Sequence, residues 1–349
     1  MDKSPGYPLN LQYQTNGQAF ADVGDLLILS AVARLHMWLD PDIPYDEISK
    51  DPWDLIITGF FDPSSVFNKN EPHPARKLKE GRFRCIDPVS VVTNLCECAM
   101  FSESSSQMKI NLFESGSSVG ISFTDQGMSA FYNFCKTKTE QFGPAKTDDV
   151  SGFDSVHTPQ TLYASARVDE LSHESPYGLT RWNVANRRWC CQCSKSCVIL
   201  GQSIYTKIQL GMLNTGSRDT SRRNTTLRDI YTDYFYISAS GEPSKFTTAN
   251  GDDAISWGPV SLDAYKESAA IAGFALRDVV ERTDNFQFCS HEYSTSGAFL
   301  TSWPKSVYRI LTSTSIKKSD AYQFLYELRH NKEYGQVKHF IDLCDLPEQ

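Results

Sequence analysis

Four groups of residues in this chain have the types and the order that nucleotidyl transfer requires. Gly251-Asp252-Asp253 places two adjacent carboxylates after a glycine, and Asp149-Val150-Ser151-Gly152-Phe153-Asp154 places two more either side of a glycine turn. Between them Thr215-Gly216-Ser217 leads into Thr220 and Asn224. Ahead of all three runs a basic segment in which Lys69, Arg76, Lys77, Lys79, Arg82 and Arg84 outnumber Glu71 and Glu80. The chemistry needs two divalent ions about 4 Å apart, clamping the attacking and leaving oxygens. Magnesium prefers hard oxygen ligands and few protein carboxylates, which leaves room for phosphates. Asp149 at a strand end and Asp252 in a hairpin turn can meet on one sheet edge, with Asp253 beside them. Asp154 lies across a turn from Asp149 and reads as a neighbour of the incoming sugar.

Each group has an ordinary reading of its own. Asp favours solvated turns, and either acidic motif alone would be read that way. Their order, together with the other segments, favours the site. Thr220 and Asn224 stand four apart on one face of a helix start, where a hydroxyl and an amide can bind a ribose 2′-hydroxyl. Helix capping by Thr220 or Ser221 is compatible with that role. Gly216 gives the preceding loop freedom to shift with a template strand. Arg82 and Arg84 alternate with Phe83 and Cys85, so both guanidinium groups share one strand face and can grip a triphosphate and stack on its base. Cys190, Cys191, Cys193 and Cys197 fit no common zinc spacing. They read as strand cysteines packed in the core.

The elements that must position these residues follow from apolar periodicity. Helices are expected over 25–39, 88–101, 124–136, 159–171, 220–238 and 263–274, and again from 304 to the end. A strand is expected over 83–86 and another over 146–153. Hairpins are expected over 197–210, around Gly201-Gln202, and over 245–255, around Gly251-Asp252, with a short one beginning at Phe286. The first twenty residues are polar and are expected at the surface.

Composition sets the outer bounds. The 349 residues are 40% hydrophobic and 22% charged, enough for a large core in a chain of about two domains or one large one. No run of eighteen apolar residues suggests a transmembrane segment, and the N-terminus lacks a signal-peptide pattern. Ten cysteines in so long a chain fit a reduced, intracellular protein. The net charge of −8 argues against nonspecific coating of nucleic acid but allows a focused basic channel. Such a channel would draw on Arg181, Arg187 and Arg188, and on Arg218, Arg222, Arg223 and Arg228.

The combined motifs resemble the viral RNA-dependent RNA polymerases, specifically the sobemovirus, polerovirus and barnavirus-like group. The resemblance rests on Lys69-Asn70-Glu71-Pro72-His73, on Lys77-Leu78 with Glu80-Gly81-Arg82-Phe83-Arg84, and on Pro88-Val89-Ser90-Val91-Val92. It continues through the two acidic motifs, Thr220-Ser221 with Asn224, Phe288-Cys289-Ser290-His291 and Ser302-Trp303-Pro304-Lys305. It implies an α+β, right-handed fingers, palm and thumb fold with a ferredoxin-like antiparallel palm sheet and helix-rich fingers and thumb. Residues 1–145 would form the N-terminal region and fingers, 146–295 the palm with a fingers insertion at about 172–210, and 296–349 the thumb.

By matching position, Asp149 and Asp252 would be the principal ligands of two magnesium ions, with manganese as a substitute and Asp253 as the auxiliary ligand. Asp154, Thr220 and Asn224 would sense the ribose, and Lys69, Arg82 and Arg84 would hold the nucleotide. Gly216, Ser217 and Phe288 to Ser290 would face template and primer. Lys266, Arg277 and Arg282 are open candidates for the general acid. Two departures stand out: Thr215-Gly216 replaces the family's usual Ser-Gly, and Arg218, Asp219, Arg222 and Arg223 replace mostly small residues. The implied partners are an RNA template and primer, nucleoside triphosphates and a genome-linked protein primer. The implied place is the host cytoplasm, at membrane-associated replication complexes. A reverse transcriptase and a noncatalytic RNA-binding viral protein are the alternatives. The first usually carries an aromatic residue two positions before its aspartate pair, where this chain has Asn250-Gly251.

Overall fold

Strand pairing begins at the two-residue turn Gly251-Asp252. A hairpin this tight needs a positive φ at its first loop position, and Gly251 supplies it at +68°. The structure, a computed structural model, describes residues 3–43, 51–69, 72–73, 75–81, 85–172, 180–207, 211–312, 316–344 and 346. The chain forms two compact units. One is made of Met1–Lys69, Arg84–Asn111 and Gly152–Ile230, the other of Asn70–Phe83, Leu112–Ser151 and Tyr231–Gln349.

The second unit is built on a four-stranded antiparallel sheet. Its strands are β1 (Ala145–Val150), β2 (Phe246–Asn250), β3 (Asp253–Trp257) and β4 (Leu276–Arg282), in the order β2-β3-β1-β4. Thr147 pairs with Ile255 and Asp148 with Ala254 across β1 and β3. Against β4 the register of β1 shifts between Thr147 and Asp149, a bulge that re-aims the strand where its carboxylates begin. Strands β2, β3 and β1 are buried along nearly their whole length. Such burial on both faces explains why their sequences lack a clean polar alternation.

The Asp125–Phe142 helix packs Met128, Phe131 and Cys135 against Ile255 and Trp257. The Trp257 indole N–H donates to Thr139 Oγ1 at 3.0 Å. Other sheet positions meet Tyr236, whose hydroxyl lies 3.3 Å from Ser256 Oγ, and Tyr265 of the Leu262–Ile271 helix. A three-stranded meander follows, β5 (Phe286–Phe288), β6 (His291–Ser294) and β7 (Gly297–Leu300), and adds Phe286, Phe288 and Tyr293 to the same core. The C-terminal helices Trp303–Thr312, Lys318–Leu328 and Tyr334–Asp342 enclose a separate apolar cluster around Leu300, Phe324, Leu325 and Leu328.

The first unit is mostly helical. Asn16–Leu39 starts at a capping box in which Thr15 and Gln18 satisfy each other's backbone N–H groups. Val91–Ile110 starts at Ser90, whose hydroxyl accepts from Thr93 N. The Pro159–Ser172 and Thr180–Lys195 helices pack on each other. The expected hairpin is present as Val198–Leu200 with Ser203–Tyr205 around Gly201-Gln202. The start of the chain is less superficial than its polarity suggests, because Pro5 and Gly6 are buried and the Pro5 carbonyl accepts from Val91 N at 2.8 Å.

Two expectations fail here. Cys190, Cys191 and Cys193 are core residues, as read, but they sit in the Thr180–Lys195 helix and not on a strand. The dense cluster of small apolar side chains looks the same in either element until its neighbours are known. The second and third basic groups are available to a channel only in part, since Arg181, Arg187 and Arg218 are exposed and the rest are not. Arg188, Arg222, Arg223 and Arg228 are buried. Arg187 pairs with Glu170 at 2.8 Å, and Arg188 donates to the Met37, Trp38 and Asp40 carbonyls at the end of the Asn16–Leu39 helix. No helix among the described residues is long and apolar enough to cross a membrane.

Candidate active site

The acidic part of the site belongs to the second unit. Asp252 occupies the exposed tip of the β2–β3 turn, and Asp253 opens β3 opposite Asn250. Asp149, near the end of β1, is half-buried and faces Arg277 of β4, whose guanidinium lies 2.9 Å from Asp149 Oδ2. Partial burial raises the pKa of Asp149, Arg277 lowers it, and the carboxylates of Asp252, Asp148 and Asp278 raise it again. Strand β1 and the β2–β3 turn thus gather negative charge around Asp149, with one guanidinium as the local counter-charge. Asp148 points elsewhere and accepts from the Tyr265 hydroxyl at 3.0 Å. It holds the strand to the neighbouring helix.

A divalent cation suits this donor set. The groups are hard carboxylate oxygens, two of them sit in reach of solvent, and they repel one another without a cation. Among the described residues no three His, Cys, Asp or Glu side chains already converge on one point. Asp149 and Asp252 are the residues that could hold an ion, with Asp253 next to them. Arg277 competes for the same charge. Arg277→Ala should therefore tighten Mn²⁺ binding about two- to five-fold, the scale of a half-exposed ion pair. Titration of free Mn²⁺ by electron paramagnetic resonance reads this directly. Unchanged or weaker binding would show that the guanidinium does not compete.

The β5–β6 turn lies on the same unit. Phe288 pairs with His291, so Cys289 and Ser290 form a two-residue loop, and both have positive φ, +48° and +60°. Neither is glycine, so the backbone stores strain there. Cys289 is held by the Asn250 amide, which donates to its Sγ at 3.3 Å. The Ser290 carbonyl accepts from both Thr301 N and Thr301 Oγ1 at 2.8 Å. Asn250 immediately precedes Gly251, so the strained turn is tied to the acidic hairpin.

The polar group expected at the sugar belongs to the first unit. Asn224 Nδ2 donates to Asp154 Oδ1 at 2.7 Å, and Asn224 Oδ1 lies 3.1 Å from Nε2 of His157. Asp154 stands on the short Phe153–Val156 helix and Asn224 in the first turns of Thr220–Ser240. Thr220 is turned to the backbone, with its hydroxyl against the Asn214 and Ser217 carbonyls at 2.8 and 2.7 Å. Gly216 meets a static need, since a Cβ there would lie 2.4 Å from Pro88 Cα. Its N–H donates to the Asp87 carbonyl at 3.0 Å, and Asp87 N–H donates to Thr215 Oγ1 at 2.9 Å.

Glu97 was missed by sequence reasoning. It is buried, accepts from Trp189 Nε1 and Ser217 Oγ through Oε1, both at 2.8 Å, and from Arg218 N through Oε2 at 2.8 Å. Burial pushes its pKa up to about 7 against those three donors. A lone carboxylate inside the apolar stretch Leu95-Cys96-Glu97-Cys98-Ala99-Met100 was the available signal. His157, three residues after Asp154, was missed too, because nothing in its immediate sequence marks it as buried.

The departures at Arg222 and Arg223 have a structural explanation. Arg222 pairs with Asp169 and Asp219, both at 2.6 Å, and Arg223 pairs with Asp169 at 2.7 Å and Asp219 at 3.3 Å. Burial pushes the Asp169 pKa up, but the Arg223 and Arg222 guanidiniums reverse this and hold it below the usual carboxylate range. Among the nucleotide-binding residues expected from the sequence, Lys69 is half-buried beside the short Phe67–Asn68 strand, while Arg82 and Arg84 lie outside the described residues.

No protein-family model matches the chain. A solved structure with the same arrangement is the Sicinivirus 3Dpol RNA dependent RNA polymerase. It superposes with a TM-score of 0.73 over 98% of this chain and 72% of that one, at 15% sequence identity. The fold is that of a viral RNA-dependent RNA polymerase. Sequence relatives agree. Replicase polyprotein P2AB of Southern cowpea mosaic virus is 28% identical over 99% of this chain and 35% of its own length. The RNA-directed RNA polymerase of Mushroom bacilliform virus is 26% identical over 94% of this chain and 79% of its own. Protein P1-P2 of Turnip yellows virus is 27% identical over 80% of this chain and 28% of its own. The homologues are thus replicase proteins of the sobemovirus, polerovirus and barnavirus groups to which the motifs point. The chain spans about a third of the length of the sobemovirus polyproteins it matches.

Proposed function

We propose that this protein is an RNA-directed RNA polymerase that replicates and transcribes a positive-strand viral RNA. One observation carries the reading: in a polymerase fold, Asp252 stands at a glycine-primed turn between β2 and β3, and Asp149 stands near the end of β1, which pairs with β3. Asp149 and Asp252 would hold two magnesium ions, with Asp253 as auxiliary, and the bound ions supply charge neutralisation for in-line attack of a 3′-hydroxyl on the α-phosphate. The chain's own contribution is positioning. The β1 bulge and the two-residue turn fix where the carboxylates stand. The strained Cys289-Ser290 turn, tied to Asn250, would support the primer end. Arg277 contacts Asp149, whereas Lys266 is exposed on a helix and Arg282 pairs opposite Ala145 at the other end of β4. Arg277 is therefore the candidate best placed to meet the departing pyrophosphate.

Asp154 and Asn224 would read the ribose 2′-hydroxyl, with Thr220 holding the preceding loop. Lys69, Arg82 and Arg84 would bind the triphosphate, and Gly216 and Ser217 would face the template. The partners this reading requires are template and primer RNA and nucleoside triphosphates. A genome-linked protein primer and replication in the host cytoplasm belong to the same reading, which the viral replicase homologues support. The expected fingers, palm and thumb division accompanies it. Primer extension on an RNA template with Mg²⁺ or Mn²⁺ tests the whole: ribonucleotide addition is expected. RNA-directed addition of deoxynucleotides in preference would favour a reverse transcriptase, and RNA binding with no addition would favour a noncatalytic role.

Sugar selection gives a sharper test. A site built to hydrogen-bond a hydroxyl rejects substrates lacking it, because its polar groups are left unpaired. Asn224→Ala should narrow the preference for ribonucleotides over deoxyribonucleotides by about tenfold or more. Equal loss with both substrates would make Asn224 a structural residue only.

A further inference from the structure

Behind the Asp154–Asn224 pair stands His157. Its side chain is fully buried and packs edge-on against Phe153 with ring centroids 4.8 Å apart. Its backbone is clamped as well. The His157 carbonyl accepts from Met212 N at 3.1 Å, and Gly211 approaches so closely that a Cβ there would lie 2.1 Å from the same oxygen. The ring therefore has little room to turn.

Asn224 has two orientations of nearly equal shape, with oxygen and nitrogen exchanged. Its neighbours decide between them. An ionised Asp154 can only accept, so the amide nitrogen must face it, as the 2.7 Å contact has it. The amide oxygen then faces His157, which must carry its proton on Nε2 for the 3.1 Å contact to be a hydrogen bond. With the proton on Nδ1 alone, two lone pairs would meet. Burial lowers the His157 pKa to about 4, so the ring is neutral at physiological pH and has one N–H to give.

We propose that His157 is a positioning residue for sugar selection: by donating Nε2–H to Oδ1 of Asn224 it locks the amide with its nitrogen toward Asp154, presenting donor and acceptor in fixed register to a ribose 2′-hydroxyl. The inference rests on the sugar-sensing reading of Asp154 and Asn224. Without the imidazole donor the amide oxygen is left unpaired and the Asp154 contact alone restrains the group, so it can swing out of the register that the 2′-hydroxyl needs. Discrimination then falls even though neither contacting residue has changed.

The test compares single-nucleotide incorporation of ribo- and deoxyribonucleotides by the full chain and its variants, each checked for an intact thermal transition. His157→Phe keeps an aromatic ring and removes the donor. It should reduce the ribo-to-deoxyribo ratio of kcat/KM about tenfold, with the loss falling on the ribonucleotide. His157→Gln, whose amide can donate from a similar reach, should keep the ratio within about threefold of wild type. His157→Asn is polar but too short, and should behave like the Phe variant; it serves where Phe does not fold. Wild-type selectivity in the Phe or Asn variant, or an equal loss with both sugars, overturns the proposal while leaving the polymerase reading intact. Unchanged selectivity in Asn224→Ala removes the sugar-sensing reading itself, and this inference with it.

Discussion

Asp252→Ala and Asp149→Ala are each expected to lower nucleotide addition about a thousandfold or more, while the protein stays folded. The large effect follows from the role assigned to the two side chains: each would supply a carboxylate to the ion pair that neutralises the transferring phosphate. The small effect on stability follows from their surroundings. Asp252 is exposed at a turn tip, and Asp149 pairs with a half-exposed Arg277. Exposed pairs of this kind contribute about 0–1 kcal/mol.

The sign at Asp149 can be worked out further. Its pKa is raised in the fold, first by burial and then by neighbouring carboxylates. The folded state thus holds its proton to higher pH than the unfolded chain, and stability is lost as pH rises through the carboxylate range. Asp149→Asn should remove that penalty, leaving the melting temperature at neutral pH unchanged or higher while activity is abolished. Extension assays beside thermal melts check both halves. More than a tenth of wild-type activity in Asp252→Ala would show that the carboxylates are not the catalytic pair.

The largest loss of stability is expected far from those carboxylates in sequence, at Asp219→Ala. Asp219 is 1% exposed and bonds both Arg222 and Arg223, which are themselves buried. Removing it leaves two buried guanidiniums that share the Asp169 carboxylate, with Ser165 and Asn186 as neutral acceptors for Arg223. Breaking a buried ion pair by deleting one partner costs about 3–5 kcal/mol, because the charge left behind is uncompensated. Urea denaturation should register a loss of that size. The pairing gives a second check, since Arg222→Met in the Asp219→Ala background removes one stranded charge and should recover part of the loss. A loss under about 1 kcal/mol for Asp219→Ala would mean that water or a rearranged Asp169 satisfies the arginines.

These results divide what could be read along the chain from what could not. The acidic motifs were legible because their chemistry is local. Gly251 supplies the positive φ that the first position of a two-residue turn needs, and the order of the acidic motifs among the other segments sets them apart from ordinary solvated turns. Helix positions were legible in part from apolar periodicity: helices run over Val91–Ile110 and Asp125–Phe142 where 88–101 and 124–136 were expected. The Asp154–Asn224 contact was anticipated from helix spacing and turn geometry, although Thr220, predicted on the same face, spends its hydroxyl on the loop backbone.

Charge was read poorly. Arg187, Arg188, Arg222 and Arg223 looked like nucleic-acid contacts because a sequence gives the sign of a side chain and not its partner. Their partners are Glu170, Asp169, Asp219 and the end of a helix, most of them distant along the chain, and for Arg188, Arg222 and Arg223 burial turned a presumed binding surface into internal structure. Glu97 and His157 escaped notice for the converse reason. One is an isolated acid in an apolar helix and the other an isolated imidazole after a turn, and each acquires meaning only from groups brought in by distant segments. The sequence by itself determined the kind of chemistry and the order of its parts, because turn formation and carboxylate chemistry act over a few residues. The tertiary structure alone decided which charges are spent inside the protein and that the His157 imidazole meets the Asn224 amide, because pairing and desolvation depend on neighbours that only folding supplies.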